Sequence, residues 1–249
     1  MTTKLRIITL NLCLECGDNK YNIAANVMSL LSKWKGDVII FQEIEGYNLT
    51  ELAKGLDMQI LNTNQKEHTC VFINPKKLAV IDKYHVRKLR GQKPIYIGAV
   101  HLDDVPALPH HMHMMLYVSD MTLSLNYTLD QIIELCKIRR LPRLRKELAR
   151  ANESECAIIA GDYNEPSHYD LKGIMTPCSV LMAKKGYVDT YKYMHPNRTG
   201  YTWPNKEYYE GEPKQRIDYI YTRGMKVEDS RISGDSHSDH KMVISDVIV

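Results

Sequence analysis

No stretch of the 249 residues is both long and apolar enough to span a bilayer as a helix, so an α-helical membrane protein is not expected. Net charge is nearly missing as well: 33 Lys and Arg stand against 30 Asp and Glu, leaving +3. Attraction to a polyanion would therefore have to come from local patches. Cysteine is present six times but in no pattern that implies a disulfide framework. Cys13 and Cys16 form one Cys-x-x-Cys pair with no second pair or His partner at zinc-finger spacing. Reduced, mostly buried thiols are the expectation. There is no internal repeat, low-complexity tract or linker, and at 44% hydrophobic the chain can bury a large core unaided. Residues 1–249 are thus read as one domain. Met1 to Arg6 run into a strand-like segment without an apolar signal region, so a soluble intracellular protein is expected.

The apolar pattern predicts a strand over Leu5 to Leu12, a helix carrying Ile23, Val27, Leu30 and Leu31, and a buried strand Val38 to Phe41. Strands follow at Thr69 to Ile73, Leu78 to Val86 and Ile95 to His101, a portion that reads as antiparallel sheet. Leu129, Ile132, Ile133 and Cys136 predict a crossover helix, broken near Pro142 and resumed through Leu144 and Leu148. Ala157 to Ala160 reads as a central strand, Arg216 to Tyr221 and Met225 to Ile232 as a hairpin around Arg223-Gly224, and Met242 to Val249 as the last strand. The simplest architecture is an α+β sandwich with sheets inside and helices outside.

Polar residues capable of chemistry recur where these strands end. Asn11 follows Thr9-Leu10, and Glu43 follows Phe41-Gln42. A carboxylate after an apolar strand needs a partner, and a hard cation is one. His101 ends the Ile95 run, and Gly161-Asp162-Tyr163-Asn164-Glu165-Pro166 follows the central strand, with Asp162 and Asn164 on one side of an extended backbone. Asp218 in Arg216-Ile217-Asp218-Tyr219 and His240 in Ser238-Asp239-His240 could pair, fixing the imidazole tautomer for proton transfer. Each has a plain structural reading as a cap or turn, but together they make independent coincidence a poor explanation.

These motifs, in this order, resemble those of the endonuclease/exonuclease/phosphatase superfamily. The resemblance spans essentially the whole chain and is most specific in Ile158 to Pro166, Arg216 to Ile220 and Ser238-Asp239-His240. It implies a four-layer α/β/β/α sandwich, deoxyribonuclease I-like, with two mostly antiparallel sheets flanked by helices and a single catalytic domain. It also implies a hydrolase that needs Mg²⁺, with Mn²⁺ able to substitute. By position, Glu43 looks like the main metal ligand, Asn11 a metal or phosphate neighbour and Asp239 a further carboxylate. His240 oriented by Asp218 would be the general base or transition-state stabiliser. Asp162 would orient or activate water, Asn164 would hold the water or a phosphate oxygen, and His101 would donate to developing charge. Trp203 and Arg216 are expected to touch substrate. Whether Asp162 or His240 takes the proton is open at this stage.

His101 stands where abasic-site endonucleases carry tyrosine, and Gln215-Arg216-Ile217-Asp218 replaces the Trp-Cys-Asp-Arg signature of inositol polyphosphate 5-phosphatases. Both roles are therefore disfavoured. The expected activity is a phosphodiesterase of nuclease type. A phosphomonoesterase on a small or lipid-derived phosphate, and an inactive binding module that keeps the fold, are the alternatives. A basic run of Lys137, Arg139, Arg140, Arg143, Arg145, Lys146 and Arg150 contains only Glu147 as an acid. It could attract nucleic acid, although a solvated helix face is the preferred reading. His110-His111-Met112-His113-Met114-Met115 reads as a substrate-shaping loop, with a soft-metal site as its alternative.

Overall fold

A computed structural model describes residues 3–13, 20–88, 93–104, 128–205, 213–234, 236 and 238–249. Cys16 and the His110 to Met115 segment lie outside these residues. Two sheets stack face to face, each six-stranded among the described residues. The first runs β11 (Lys226–Ser233), β12 (Met242–Ile248), β1 (Lys4–Asn11), β2 (Val38–Gln42), β4 (Thr69–Ile73), β3 (Gln59–Asn64). The second runs β5 (Leu78–Val80), β6 (His85–Lys88), β7 (Pro94–His101), β8 (Cys156–Asp162), β10 (Asp218–Arg223), β9 (Val188–Asp189).

Period-two patterning assigns each strand two faces. In β1, Leu5 and Ile7 join Val38, Ile40, Ile97, Ile158 and Ile220 in the core between the sheets. Ile8 and Leu10 turn the other way, to a second core with Val27, Leu31 and Leu52 from helices α1 (Lys20–Trp34) and α2 (Leu49–Gly55). On the outer face of the second sheet, Ala157, Ile159 and Tyr221 meet Leu144 and Leu148 of α3 (Leu129–Ala151). Helix, sheet, sheet and helix thus form the four layers expected. Two shorter helices, α4 (Pro177–Lys184) and α5 (Thr190–Met194), complete the described set.

Three expectations are corrected. Helix α3 is continuous, with Pro142 inside it and a full capping box at Thr128 and Gln131. Proline removes the donor to the carbonyl four residues back, here Ile138, and that residue is 63% exposed, so water can serve the carbonyl. The segment from Leu78 to Val86 is two strands, because Asp82 accepts from the backbone N–H groups of Tyr84 and His85 and turns the chain between them. Strands β10 and β11 are not a hairpin: β10 lies between β8 and β9, while β11 forms the edge of the other sheet beside β12. Burial on both faces of β10, against half-exposed β11, is the physical difference. The crossing at Gly224 (φ 71°) presses on the Glu155 carbonyl, which a Cβ would approach to 2.1 Å.

Cysteine also departs from expectation in one place. Cys70, Cys136, Cys156 and Cys178 are free and buried, but Cys13, at a positive φ of 63° just after β1, is disulfide-bonded.

The basic run is not one solvated face. Arg139 is half-exposed, whereas the Arg140 side chain is fully buried, donating to the carbonyls of Asp103 (2.7 Å) and Asp104 (3.2 Å) and lying 3.5 Å from Glu165. Arg143 ties the helix to the His101 carbonyl and to Glu67. Positions 136, 140, 143 and 147 share the inward stripe of α3, which explains why the run's single acid, Glu147, is buried. Removing Arg140 would strand Glu165 and two carbonyls. Arg140→Ala is therefore expected to cost about 3–5 kcal/mol, and Arg139→Glu less than about 0.5 kcal/mol, as read from urea denaturation midpoints.

Candidate active site

Parallel pairing of β1 with β2 and of β7 with β8 brings four strand C-termini to one end of the sandwich. Strands β10 and β12 run the other way, so their N-termini arrive at the same end. Asn11 is level with Gln42, the residue before Glu43, and Asp162 is level with both His101 and Asp218. Gly161 makes this register possible: at φ 142° it lets β8 approach β7 so closely that a Cβ would lie 1.9 Å from the Val100 carbonyl oxygen.

The centre is a chain of hydrogen-bonded polar groups. Buried Asp218 Oδ2 sits 2.9 Å from His240 Nδ1, and His240 Nε2 lies 3.9 Å from Asp162 Oδ2. Asn11 Nδ2 donates both to Asp162 Oδ2 (3.1 Å) and to Glu43 Oε1 (2.8 Å), bridging the two sheets. Asn11 Oδ1 meanwhile accepts from the Cys13 N–H at 2.9 Å. Asn164 closes an Asx turn onto Asp162 through its own N–H (2.7 Å) and donates Nδ2 to the Leu102 carbonyl (2.9 Å). Glu43 and Asn164 both hold positive φ, 54° and 48°, in a region that side-chain-bearing residues seldom occupy. Such strain persists where surrounding structure over-determines it, often at a functional site.

Burial without water makes these groups bear on one another. Burial, then the charge of Asp218, pushes the Asp162 carboxyl up to about 8, although His240, the Asn164 N–H and Asn11 oppose the shift. Burial pulls the His240 imidazole down, but Asp218, through its charge and hydrogen bond, together with Asp162 and Asp239 pushes it up to about 10. His101 is lowered, chiefly by burial, with Glu43 opposing and Arg143, His240 and His68 adding to the effect. At neutral pH the site therefore holds His240 as a cation and Asp162 largely protonated.

Asp239 accepts from Trp203 Nε1 at 3.2 Å and from Ser238 Oγ at 3.2 Å. The Tyr47 phenol is pushed up to about 12 by burial and then by Glu43 and Asp239, so both carboxylates bear on one point. Hard oxygen donors concentrated in this way suit a divalent cation such as Mg²⁺ or Ca²⁺. Asp162, Asp218 and His240 also present ligand atoms within 4.8 Å of one another, and Asp218 Oδ1 is buried without a hydrogen-bond partner. Either set has the composition to hold a metal.

A cleft of about 720 Å³ opens over this centre, and Glu43, His101, Asp162, Asn164, Trp203, Asp239 and His240 all line it. Asn11 and Asp218 lie buried beneath. Arg216 is not in the cleft, contrary to expectation. Its buried guanidinium pairs with Asp170 (2.6 Å) and Asp189 (2.8 Å), because a charge placed beside β10 under the α4 and α5 region needs local acids to compensate it. Sequence reading missed Thr202, whose Oγ1 accepts from the N–H groups of Ile217 and Asp218, and Gln215, His68 and Arg143 in the cleft wall. Thr202 and Gln215 flank motifs already noticed. His68, at φ 53° after the short 3₁₀ turn Gln65–Glu67 and in contact with Glu45, left no signal.

Buried acids, an oriented imidazole and a bridging amide at the open end of a two-sheet sandwich are a composition suited to metal-dependent phosphoester hydrolysis. The chain belongs to the Endonuclease/Exonuclease/phosphatase family, matched over residues 10–240. Members of that family are generally dependent on a divalent metal. Zebrafish (D. rerio) TDP2 complexed with a single-strand DNA product is similar in structure, with a TM-score of 0.68, 17% identity and coverage of 98% of this chain and 99% of that one. The family protein from Bacteroides vulgatus gives a TM-score of 0.68 at 16% identity, covering 98% of both chains. At such identities these likenesses speak for the fold. In sequence, an uncharacterized Caenorhabditis elegans protein, F14F9.5, is 29% identical over 111 residues, a match that spans 36% of this chain and 35% of the relative. Among the described residues no helix is long and apolar enough to cross a membrane.

Asp218 and His240 share one hydrogen bond, so they are expected to fail as a unit. Asp218→Asn and His240→Ala should each lower kcat by orders of magnitude, with the double variant little worse than either single one. Multiplicative losses in a double-mutant cycle would show that the two act independently.

Proposed function

We propose that the protein is a Mg²⁺-dependent phosphodiesterase of nuclease type, with Mn²⁺ able to replace Mg²⁺. The observation that carries this reading is the Asp218–His240–Asp162 set beneath the cleft, joined through Asn11 to Glu43. Glu43 and Asp239 would hold the metal, with Asn11 orienting Glu43. When bound, that metal supplies positive charge to a phosphate oxygen.

The chain's own residues do the rest. His240, kept protonated by Asp218, stabilises charge that builds on the phosphorus oxygens, and His101 donates to the same charge from the other wall. Asp162, next to His240, orients the attacking water and takes its proton in the ionised form, which becomes the majority as pH rises through about 8. Asn164 holds the loop that carries Asp162 and positions water or a phosphate oxygen. Trp203 fixes Asp239 and forms part of the substrate wall. Nucleic acid is the favoured substrate: Lys66 lines the cleft with Arg139 and Arg143, which face Asp103 and Glu67, and a bound metal would add the positive charge that draws a phosphate backbone. The structurally similar zebrafish TDP2, complexed with a single-strand DNA product, is consistent with that choice.

The test is turnover of single-stranded DNA, duplex DNA, RNA and phosphomonoesters side by side, with and without a chelator. Hydrolysis of a nucleic acid, abolished by chelation and restored by Mg²⁺, is expected. Glu43→Gln should lower that turnover at least a hundredfold while leaving the thermal midpoint within a few degrees. Turnover of phosphomonoesters alone, or chelator-resistant activity, would overturn the proposal.

A further inference from the structure

Next to the cleft, Tyr201 lies close to two ammonium groups. Lys241 Nζ is 3.2 Å from the ring centroid and Lys214 Nζ 4.9 Å. Neither lysine is paired with a carboxylate among the described residues. Lys241 first, and Lys214 after it, hold the Tyr201 hydroxyl below its ordinary range. Two like charges on one half-buried tyrosine repel each other, and an anion between them would offset that repulsion.

The backbone ties this cluster rigidly to the active site. Lys241 follows His240 directly, and its N–H donates to the Thr202 carbonyl at 2.7 Å. Trp203 and Gln215 exchange backbone hydrogen bonds of 3.0 and 2.7 Å, and Lys214 precedes Gln215. Thr202 is fully buried beneath Ile217 and Asp218. Tyr201 stands two residues before Trp203, where the N–H groups of Thr202 and Trp203 both donate to the Gln215 carbonyl. Trp203 lines the cleft. Gln215 and His240 line it too, so Lys214 and Lys241 each directly adjoin a residue of the cleft wall, and Tyr201 lies two positions from another.

We propose that Tyr201, Lys214 and Lys241 form a second subsite, which binds the phosphate adjoining the scissile one in a single-stranded nucleic acid. This rests on the nuclease reading above and gives it a direction along the strand. Lysines beside an aromatic ring, tracking a backbone from an active site, have the composition of single-strand grooves. A substrate with one phosphorus atom cannot reach both places.

The test compares a single-stranded oligonucleotide with bis(p-nitrophenyl) phosphate, which carries one phosphorus, in wild type, Lys214→Gln and the Lys214→Gln plus Lys241→Gln double variant. For the oligonucleotide, the double variant should raise KM roughly tenfold and flatten the slope of log kcat/KM against log salt by about 0.7 for each phosphate that the lysines no longer neutralise. Lys214→Gln, away from His240, should show part of both effects. Hydrolysis of the small diester should stay within twofold of wild type. Oligonucleotide KM and salt slope unchanged in both variants, with wild type cleaving both substrates, would overturn the subsite and leave the nuclease reading standing. Equal losses on both substrates would also overturn it, by assigning the lysines to the catalytic centre. Wild type that hydrolyses the small diester but no oligonucleotide would instead sink the nuclease reading and this inference together.

Discussion

Everything at the active end depends on keeping Asp218 and His240 paired out of water. Their 2.9 Å hydrogen bond lies beneath the cleft, with Asp218 fully buried and His240 nearly so. A lone charge there would carry a desolvation penalty of several kcal/mol, so the pair, the neighbouring Asp162 and the Asn11 amide must be supplied together. The sandwich supplies them from four strands: β1 gives Asn11, β8 gives Asp162, β10 gives Asp218, and the turn into β12 gives His240. Two parallel pairings in otherwise antiparallel sheets are what bring these ends to one place.

The same dependence explains where the backbone is unusual. Gly161 permits the close β7–β8 approach, Glu43 and Asn164 accept positive φ, and Thr202 uses its hydroxyl to satisfy the N–H groups of Ile217 and Asp218. None of these features fills the core. Each fixes a polar group that the core would otherwise exclude, a pattern expected where rigid elements hold a site against substrate.

Strand positions are legible in the sequence because runs such as Val38 to Phe41 and Ala157 to Ala160 are apolar on both faces, and polar residues after such runs mark strand ends. The helix through Pro142 is not legible, since a proline's cost depends on whether the orphaned carbonyl meets water, and Ile138's exposure is a tertiary fact. Nor is the separation of β10 from β11, because a short turn at Gly224 looks alike whether it closes a hairpin or passes a chain between sheets. The place of Arg216 in a motif suggests substrate binding. Its acids, Asp170 and Asp189, lie 46 and 27 residues away, and no local pattern announces such a partnership. Strand β3, with the polar sequence QILNTN on a sheet edge, carries little hydrophobic signal to read.

In the proposed division of labour Glu43 and Asp239 would hold the metal, whereas Asp162, Asp218 and His240 would handle charge and protons. Both sets could ligate a cation, so the most direct test is the affinity of the protein for Mn²⁺, measured by calorimetry in wild type, Glu43→Gln and Asp218→Asn. The account predicts that Glu43→Gln weakens Mn²⁺ binding at least tenfold while Asp218→Asn binds it about as wild type does. Tight Mn²⁺ binding by Glu43→Gln, with weakened binding by Asp218→Asn, would place the metal on the aspartate and histidine set and contradict the account.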